Sequence, residues 1–182
     1  MPNLVRKAMA VAALSLLVAP SARAQHPQVR EGFWFAIGVG GGSLGCSDCS
    51  DRTDGGAGQL AFGGTLNPSV LLAGTLNGWG RSENGANLTV GLVAATIRWY
   101  PSPSGGFYLT GGLGLGSSDL TIGNGNTTFT VSQTGFGGLA GLGYDIRVGR
   151  MLSLTPWFQW FAVKYDNGDA NVGQLGLALT VH

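Results

Sequence analysis

The stretch Gln174-Leu-Gly-Leu-Ala-Leu-Thr-Val-His182 decides how the chain is read. Leu175, Leu177, Leu179 and Val181 fall on one side of an extended strand; Gln174, Gly176, Ala178 and Thr180 fall on the other. Period-two alternation of this kind marks a strand with one apolar face. Phe136, Ala140, Leu142, Tyr144 and Ile146 oppose Gly137, Gly141, Gly143, Asp145 and Arg147 in the same way. Further such segments begin at Phe33, Gln59, Val70, Val93, Phe107 and Leu152, giving eight predicted strands. The phase of the fourth is ambiguous before Leu92, where the pattern allows a bulge or a different register. Pro156 lies inside the seventh and cannot donate to a ladder, so a bulge or a break is expected there.

The two faces differ in kind. In this register the apolar face carries no charge, while the other holds glycine, alanine, threonine and the charges Arg98, Asp145 and Arg147. A soluble sandwich would bury its apolar face and show charge to water. A sheet in hydrocarbon must instead pair every backbone group, which only a closed barrel achieves. The fold expected is therefore all-β: an eight-stranded antiparallel up-and-down transmembrane β-barrel, apolar outside and polar inside. A secreted soluble β-sandwich is the alternative.

Composition agrees. Of 182 residues 33 are glycine, only 10% are charged and 44% are hydrophobic, and the mean hydropathy is +0.21. A disordered chain would be polar and highly charged. With a net charge of +1 there is no basic field to gather phosphates, so nucleic acid is not an expected partner. No apolar run after residue 25 is long enough for a transmembrane helix. Residues 1–24 read as a signal peptide: Arg6 and Lys7, an apolar run from Ala8 to Ala19, then Ala22-Arg23-Ala24 as the cleavage site. The expected domains are thus a cleaved segment 1–24 and a barrel over 25–182.

Connections alternate in length, with long ones near 42–56, 80–87, 117–133 and 164–170 and short ones at 67–69, 101–105 and 149–150. Short periplasmic turns and longer extracellular loops are the barrel pattern, and they place both termini in the periplasm. Trp99, Phe107 and Tyr144 would then join an aromatic girdle at that level.

With these features the mature chain, and segments such as Gly138-Leu-Ala-Gly-Leu-Gly-Tyr-Asp145 in particular, resembles the small OmpA/OmpX-like outer-membrane β-barrel proteins of Gram-negative-type bacteria. The resemblance implies a bacterial outer-membrane location, membrane lipid as surroundings and recognition of the last strand by the barrel-assembly machinery. Leu177, Leu179 and Val181 match the alternation used in that recognition; His182 stands where the family usually has phenylalanine. A monomer is expected.

An eight-stranded barrel is just wide enough for side chains to fill it or for one small ligand. Its lumen should contain Trp34, Gln59, Asn77, Arg98, Tyr108, Asp145, Arg147, Gln159 and Gln174. Arg98 and Asp145 could meet across it with Arg147 nearby, or each could point into periplasmic water; the inward glycines could leave a thin water path.

Cys46-Ser-Asp-Cys49 contains the only cysteines. With no second C-x-x-C and no nearby histidine a zinc site lacks ligands, and in an exported chain a local disulfide is the better reading. Asp48, Asp51 and Asp54 read as a solvated acidic loop more readily than as a weak Ca²⁺ site. Gly40 to Gly45 matches G-x-G-x-x-G but leads into no helix, so no dinucleotide cofactor is expected.

The two histidines of the mature chain, His26 and His182, have no evident catalytic partner, so no enzyme activity is expected. Function is expected on the exposed loops, in a structural or surface-interaction role; a narrow porin-like channel is the alternative.

Overall fold

The computed structural model describes residues 30–47, 49–83, 85–124 and 127–182. The signal-peptide assignment, His26 and Asp48 lie outside these residues. Nine strand segments follow in chain order: β1 Phe33–Gly45, β2 Thr53–Asn67, β3 Val70–Glu83, β4 Ala86–Trp99, β5 Phe107–Asn124, β6 Thr127–Tyr144, β7 Ile146–Arg147, β8 Leu152–Tyr165 and β9 Gly168–Val181. All pairings are antiparallel between neighbours, and β1 pairs with β9 from Phe35 opposite Val181 to Gly45 opposite Asn171. That seam closes the sheet. β6 and β7 pair with the same strand, β8, and form one stave interrupted at Asp145. The architecture is a closed eight-stranded barrel with no helix among the described residues, not two packed sheets.

The interruption has a local cause. The β6–β8 and β7–β8 registers are continuous and place Tyr144 opposite Pro156, which has no N–H to give. β8 itself runs unbroken through Pro156, so the break falls in the partner strand. A register shift between Thr65 and Asn67 of β2, not foreseen in the sequence, is the irregularity of the β2–β3 ladder.

Apolar side chains form the outer belt: Val39 is 73% exposed and Leu115 69%, with Ile37, Val93, Ile97, Leu113, Leu142, Phe158 and Leu177 in the same belt. Trp99, Phe107 and Tyr144 are exposed at the end of the barrel that carries the 100–106 connection.

Two expectations are corrected. β4 has no bulge, since its pairings with β3 and β5 run without a shift from Ala86 to Trp99. Leu92 and Val90 continue in phase and are buried inside, so the change before Leu92 is in the chemistry of the inner face, not in the register. Most of the long connections are also strand. The 117–133 segment is a β5–β6 hairpin paired from Phe107 opposite Tyr144 to Asn124 opposite Thr127. The 80–87 and 164–170 segments are likewise mostly strand, closing at Glu83 opposite Ala86 and Tyr165 opposite Gly168. Among the described residues at that end, only the disulfide-bearing segment between β1 and β2 is a loop of more than a few residues.

Candidate functional site

The inner face sorts into three layers. At the end carrying the long hairpins, Trp79, Val90, Leu92, Leu139, Phe161, Val163 and Val172 form one buried apolar cluster. The middle is a belt of amides. Gln59 lies opposite Asn77 and Gln159 opposite Gln174 in their ladders, and the Gln174 Nε2 donates to Asn77 Oδ1 at 3.0 Å. The Thr75 and Thr96 hydroxyls are bonded at 2.7 Å. At the far end Trp34, Tyr100 and Tyr108 pack with Arg98, Asp145 and His182.

All nine residues expected in the lumen are buried. Bulky side chains occupy the room that glycine leaves on the same face. A Cβ on Gly38 would lie 2.8 Å from the Trp157 Nε1, one on Gly55 2.7 Å from Trp79, and one on Gly143 2.4 Å from the Tyr108 hydroxyl. At these three positions the inward glycines therefore make room for a neighbouring bulky side chain.

Asp145 organises the far end. It accepts hydrogen bonds from Tyr100 Oη at 2.7 Å and from Thr155 Oγ1 at 2.7 Å, and it lies 3.2 Å from His182 Nε2. The Thr155 hydroxyl is also 2.9 Å from that of Thr180. Arg98 and Asp145 come together at this end and attract each other electrostatically. The Arg98 guanidinium lies between two ring faces, 4.3 Å from Trp34 and 4.1 Å from Tyr108, where a ring quadrupole attracts a cation. Arg30 covers the Tyr100 ring at 3.5 Å and donates to the Pro103 carbonyl at 2.9 Å, pinning the 100–106 connection. Arg147 is buried at the rim and donates to the Arg150 carbonyl at 3.3 Å.

Leu177, Leu179 and Val181 point outward and are exposed. His182 shares the inward parity of Gln174, Ala178 and Thr180, and its ring stacks on Trp34 with centroids 6.2 Å apart. That parity was visible in the sequence; the roles of Tyr100 and Thr155 as partners of Asp145, and of Arg30, carried no sequence signal.

Burial holds the His182 imidazole below its ordinary pKa, and Arg98 and Arg30 add to this; Asp145 pulls the other way without prevailing. A base depressed in the folded state lets the unfolded chain bind more protons below about pH 6.5. Stability from this group is therefore complete above that pH and falls as pH drops through it. Urea unfolding in micelles at pH 7.5 and 5.5 should show the loss, and His182→Gln should flatten the dependence over this interval. An equally steep profile in the variant would assign the effect elsewhere.

Cys46 and Cys49 are joined as a disulfide in the β1–β2 loop. Arg52 braces this loop, donating to Asn171 Oδ1 at 2.7 Å and to Ser43 Oγ at 3.2 Å. No group of three or more potential metal ligands occurs among the described residues.

A closed eight-stranded barrel with an apolar outer belt and a filled lumen has the fold of the small outer-membrane β-barrels. Solved structures agree. The chain is similar to Ail, the attachment invasion locus protein of Yersinia pestis, at 14% identity and a TM-score of 0.63, covering 84% of this chain and 99% of that one. It is similar to Neisserial surface protein A at 14% identity and a TM-score of 0.62, over 85% and 99% of the two chains. The N-terminal β-barrel domain of Pseudomonas aeruginosa OprF follows at 14% identity and a TM-score of 0.51, over 84% and 99%. No protein-family model matches the chain, and no curated protein sequence matches it.

Proposed function

We propose that this chain is a closed bacterial outer-membrane barrel acting as a structural or surface-interaction protein, not as a channel or an enzyme. The observation that carries the reading is the filled lumen: Trp79 and Phe161 in one layer, and Trp34, Arg98 and Tyr108 in another, are buried across it. An eight-stranded wall encloses little more than its own side chains, so two such layers leave no solute path. The apolar belt then faces membrane lipid. The strand-extended end faces outward from the cell, and both termini, after removal of residues 1–24, face the periplasm. The chain works as a monomer, assembled by the barrel-assembly machinery through its last strand. The surface role is supported by the names of two structures of similar fold, an attachment protein and a surface protein.

Catalysis lacks its constellation. His182 has Asp145 as a neighbour, but both are buried at the end of the barrel away from the long hairpins, so the pair presents no base to an outside substrate.

The test is electrical. Purified protein that shifts mobility on SDS gels between unboiled and boiled lanes should give no discrete conductance steps in planar bilayers. Removing the apolar layer with a Trp79→Ala, Phe161→Ala double variant should leave the mobility shift and permit flickering current. Steady single-channel steps from the unaltered protein would establish the porin-like alternative.

A further inference from the structure

Three short connections close the barrel at the end that holds Asp145, and their chemistry differs. Residues 67–69 read Asn-Pro-Ser and 101–105 read Pro-Ser-Pro-Ser-Gly, as turns in water do. Residues 148–151 read Val-Gly-Arg-Met. Val148 is 57% exposed and Met151 58%, and Arg150 between them is exposed as well. Among the described residues Arg150 takes part in no ion pair.

Backbone bonds fix this turn from two sides. The Val148 and Gly149 amides both donate to the Leu152 carbonyl at 3.0 Å, and the His182 amide of the neighbouring stave donates to the Met151 carbonyl at 3.0 Å. Arg147 donates from inside to the Arg150 carbonyl at 3.3 Å. Val148 and Met151 are thus held at the surface, where apolar area left in water contributes nothing to folding. Ile146 and Leu152 on the flanking strands are also exposed, so apolar surface leads from the outer belt into the turn. The turn lies where hydrocarbon gives way to headgroups.

Charge selects the headgroup. Among the described residues this end carries Arg30, Arg98, Arg147 and Arg150 against Glu31 and Asp145. Asp145 attracts Arg98, while Arg30 lies near enough to Arg147 for the two like charges to repel. A positive field therefore stands behind the turn. At the opposite end acid outnumbers base, with Asp51, Asp54, Glu83 and Asp169 among the acids, so the field is local. A guanidinium fork matches the oxygens of a phosphate, and basic residues beside an anionic membrane surface are drawn to it. A zwitterionic headgroup brings an ammonium of its own into this field; a headgroup of net negative charge does not.

We propose that the turn 148–151 binds an anionic glycerophospholipid. Arg150 pairs with the phosphate diester, Val148 and Met151 enter the adjoining acyl region, and Arg147 and Arg30 supply the positive field. This rests on the orientation proposed above, which sets this end in the periplasmic leaflet. It adds a site, its residues and the class of lipid taken.

The test places the full barrel in nanodiscs of phosphatidylglycerol and phosphatidylcholine in equal parts, with identical acyl chains. The barrel is then released into a neutral detergent and its retained lipids are counted by native mass spectrometry. Phosphatidylglycerol should be retained at least fivefold over phosphatidylcholine. Arg150→Gln should lower that ratio about fivefold, the usual effect of one basic residue at an anionic surface. Val148→Ser with Met151→Ser should reduce the total lipid retained. Lys164→Gln removes the same charge at the opposite end and should leave the ratio unchanged. All these side chains are exposed, so each variant should keep its heat-dependent mobility shift. Equal retention of the two lipids, a ratio indifferent to Arg150→Gln, or an equal fall in Lys164→Gln would overturn the proposal. So would unchanged retention in the serine double variant, or complete displacement of the lipid by excess soluble glycerol phosphate, since a free phosphate ester would then be the occupant. The mobility shift and the bilayer recording report on the barrel reading by themselves, so a lost lipid preference with both intact counts against this site alone.

Discussion

Gly114→Val should abolish recovery of the folded barrel. Gly114 faces inward on β5, opposite Ala94 of β4. A Cβ there would lie 1.9 Å from the Val93 carbonyl oxygen and 2.5 Å from the Ala94 Cα. Overpacking against side chains that can turn away costs about 1–3 kcal/mol. Both obstacles here are backbone, so relief requires β4 and β5 to part, and unpaired backbone in hydrocarbon costs several kcal/mol per group. The variant should give no heat-modifiable species on SDS gels after refolding into micelles. Gly78→Val is the matched control. It faces outward on β3 with nothing within 4 Å of its added Cβ, and its folded yield should approach that of the unaltered chain. Comparable yields from the two variants would show that the wall yields where its geometry says it cannot.

Asp145→Ala should produce the second largest effect, a loss of about 3–5 kcal/mol, the usual result of removing one partner from a buried ionic cluster. The carboxylate receives Tyr100 and Thr155 and adjoins His182. Removing it orphans buried donors at about 1–3 kcal/mol each and takes away the negative charge that attracts buried Arg98. Asp145→Asn keeps the shape and some acceptor capacity, so its loss should be smaller. The measurement is the urea midpoint for unfolding from lipid vesicles at neutral pH. An alanine variant with the midpoint of the unaltered protein would show that the cluster contributes no net stability.

How far the sequence could be read depends on which face carried the signal. Within the membrane belt the outer residues are uniformly apolar and the inner ones small or polar, so β1, β5 and β9 could be phased by eye. Where Leu88, Val90 and Leu92 turn the inner face apolar, alternation lost its direction although the strand continued. The same inversion hid the β5–β6 hairpin. Leu120, Ile122, Phe129 and Val131 do alternate, but in the opposite phase to Leu113 and Leu115 and among enough serine, threonine and asparagine to read as loop. In the lumen, burial followed from parity alone, and the nine expected residues are inside. Partnerships did not follow. Whether Arg98 meets a carboxylate or ring faces depends on how strands far apart in sequence are staggered around the barrel. Period-two alternation carries no information about that stagger.

Closure through β1 and β9 also governs the manner in which the molecule comes apart. The seam is a ladder as regular as those between neighbouring strands, running from Phe35 opposite Val181 to Gly45 opposite Asn171. Peeling back one strand in lipid would bare two rows of donors and acceptors with no solvent to receive them. Partial opening is therefore penalised at every step, and departure from the native state is all-or-none. Persistence then becomes a matter of rate, set by the height of that first barrier more than by the depth of the native well. A barrel closed in this way can persist simply because there is no gradual way out.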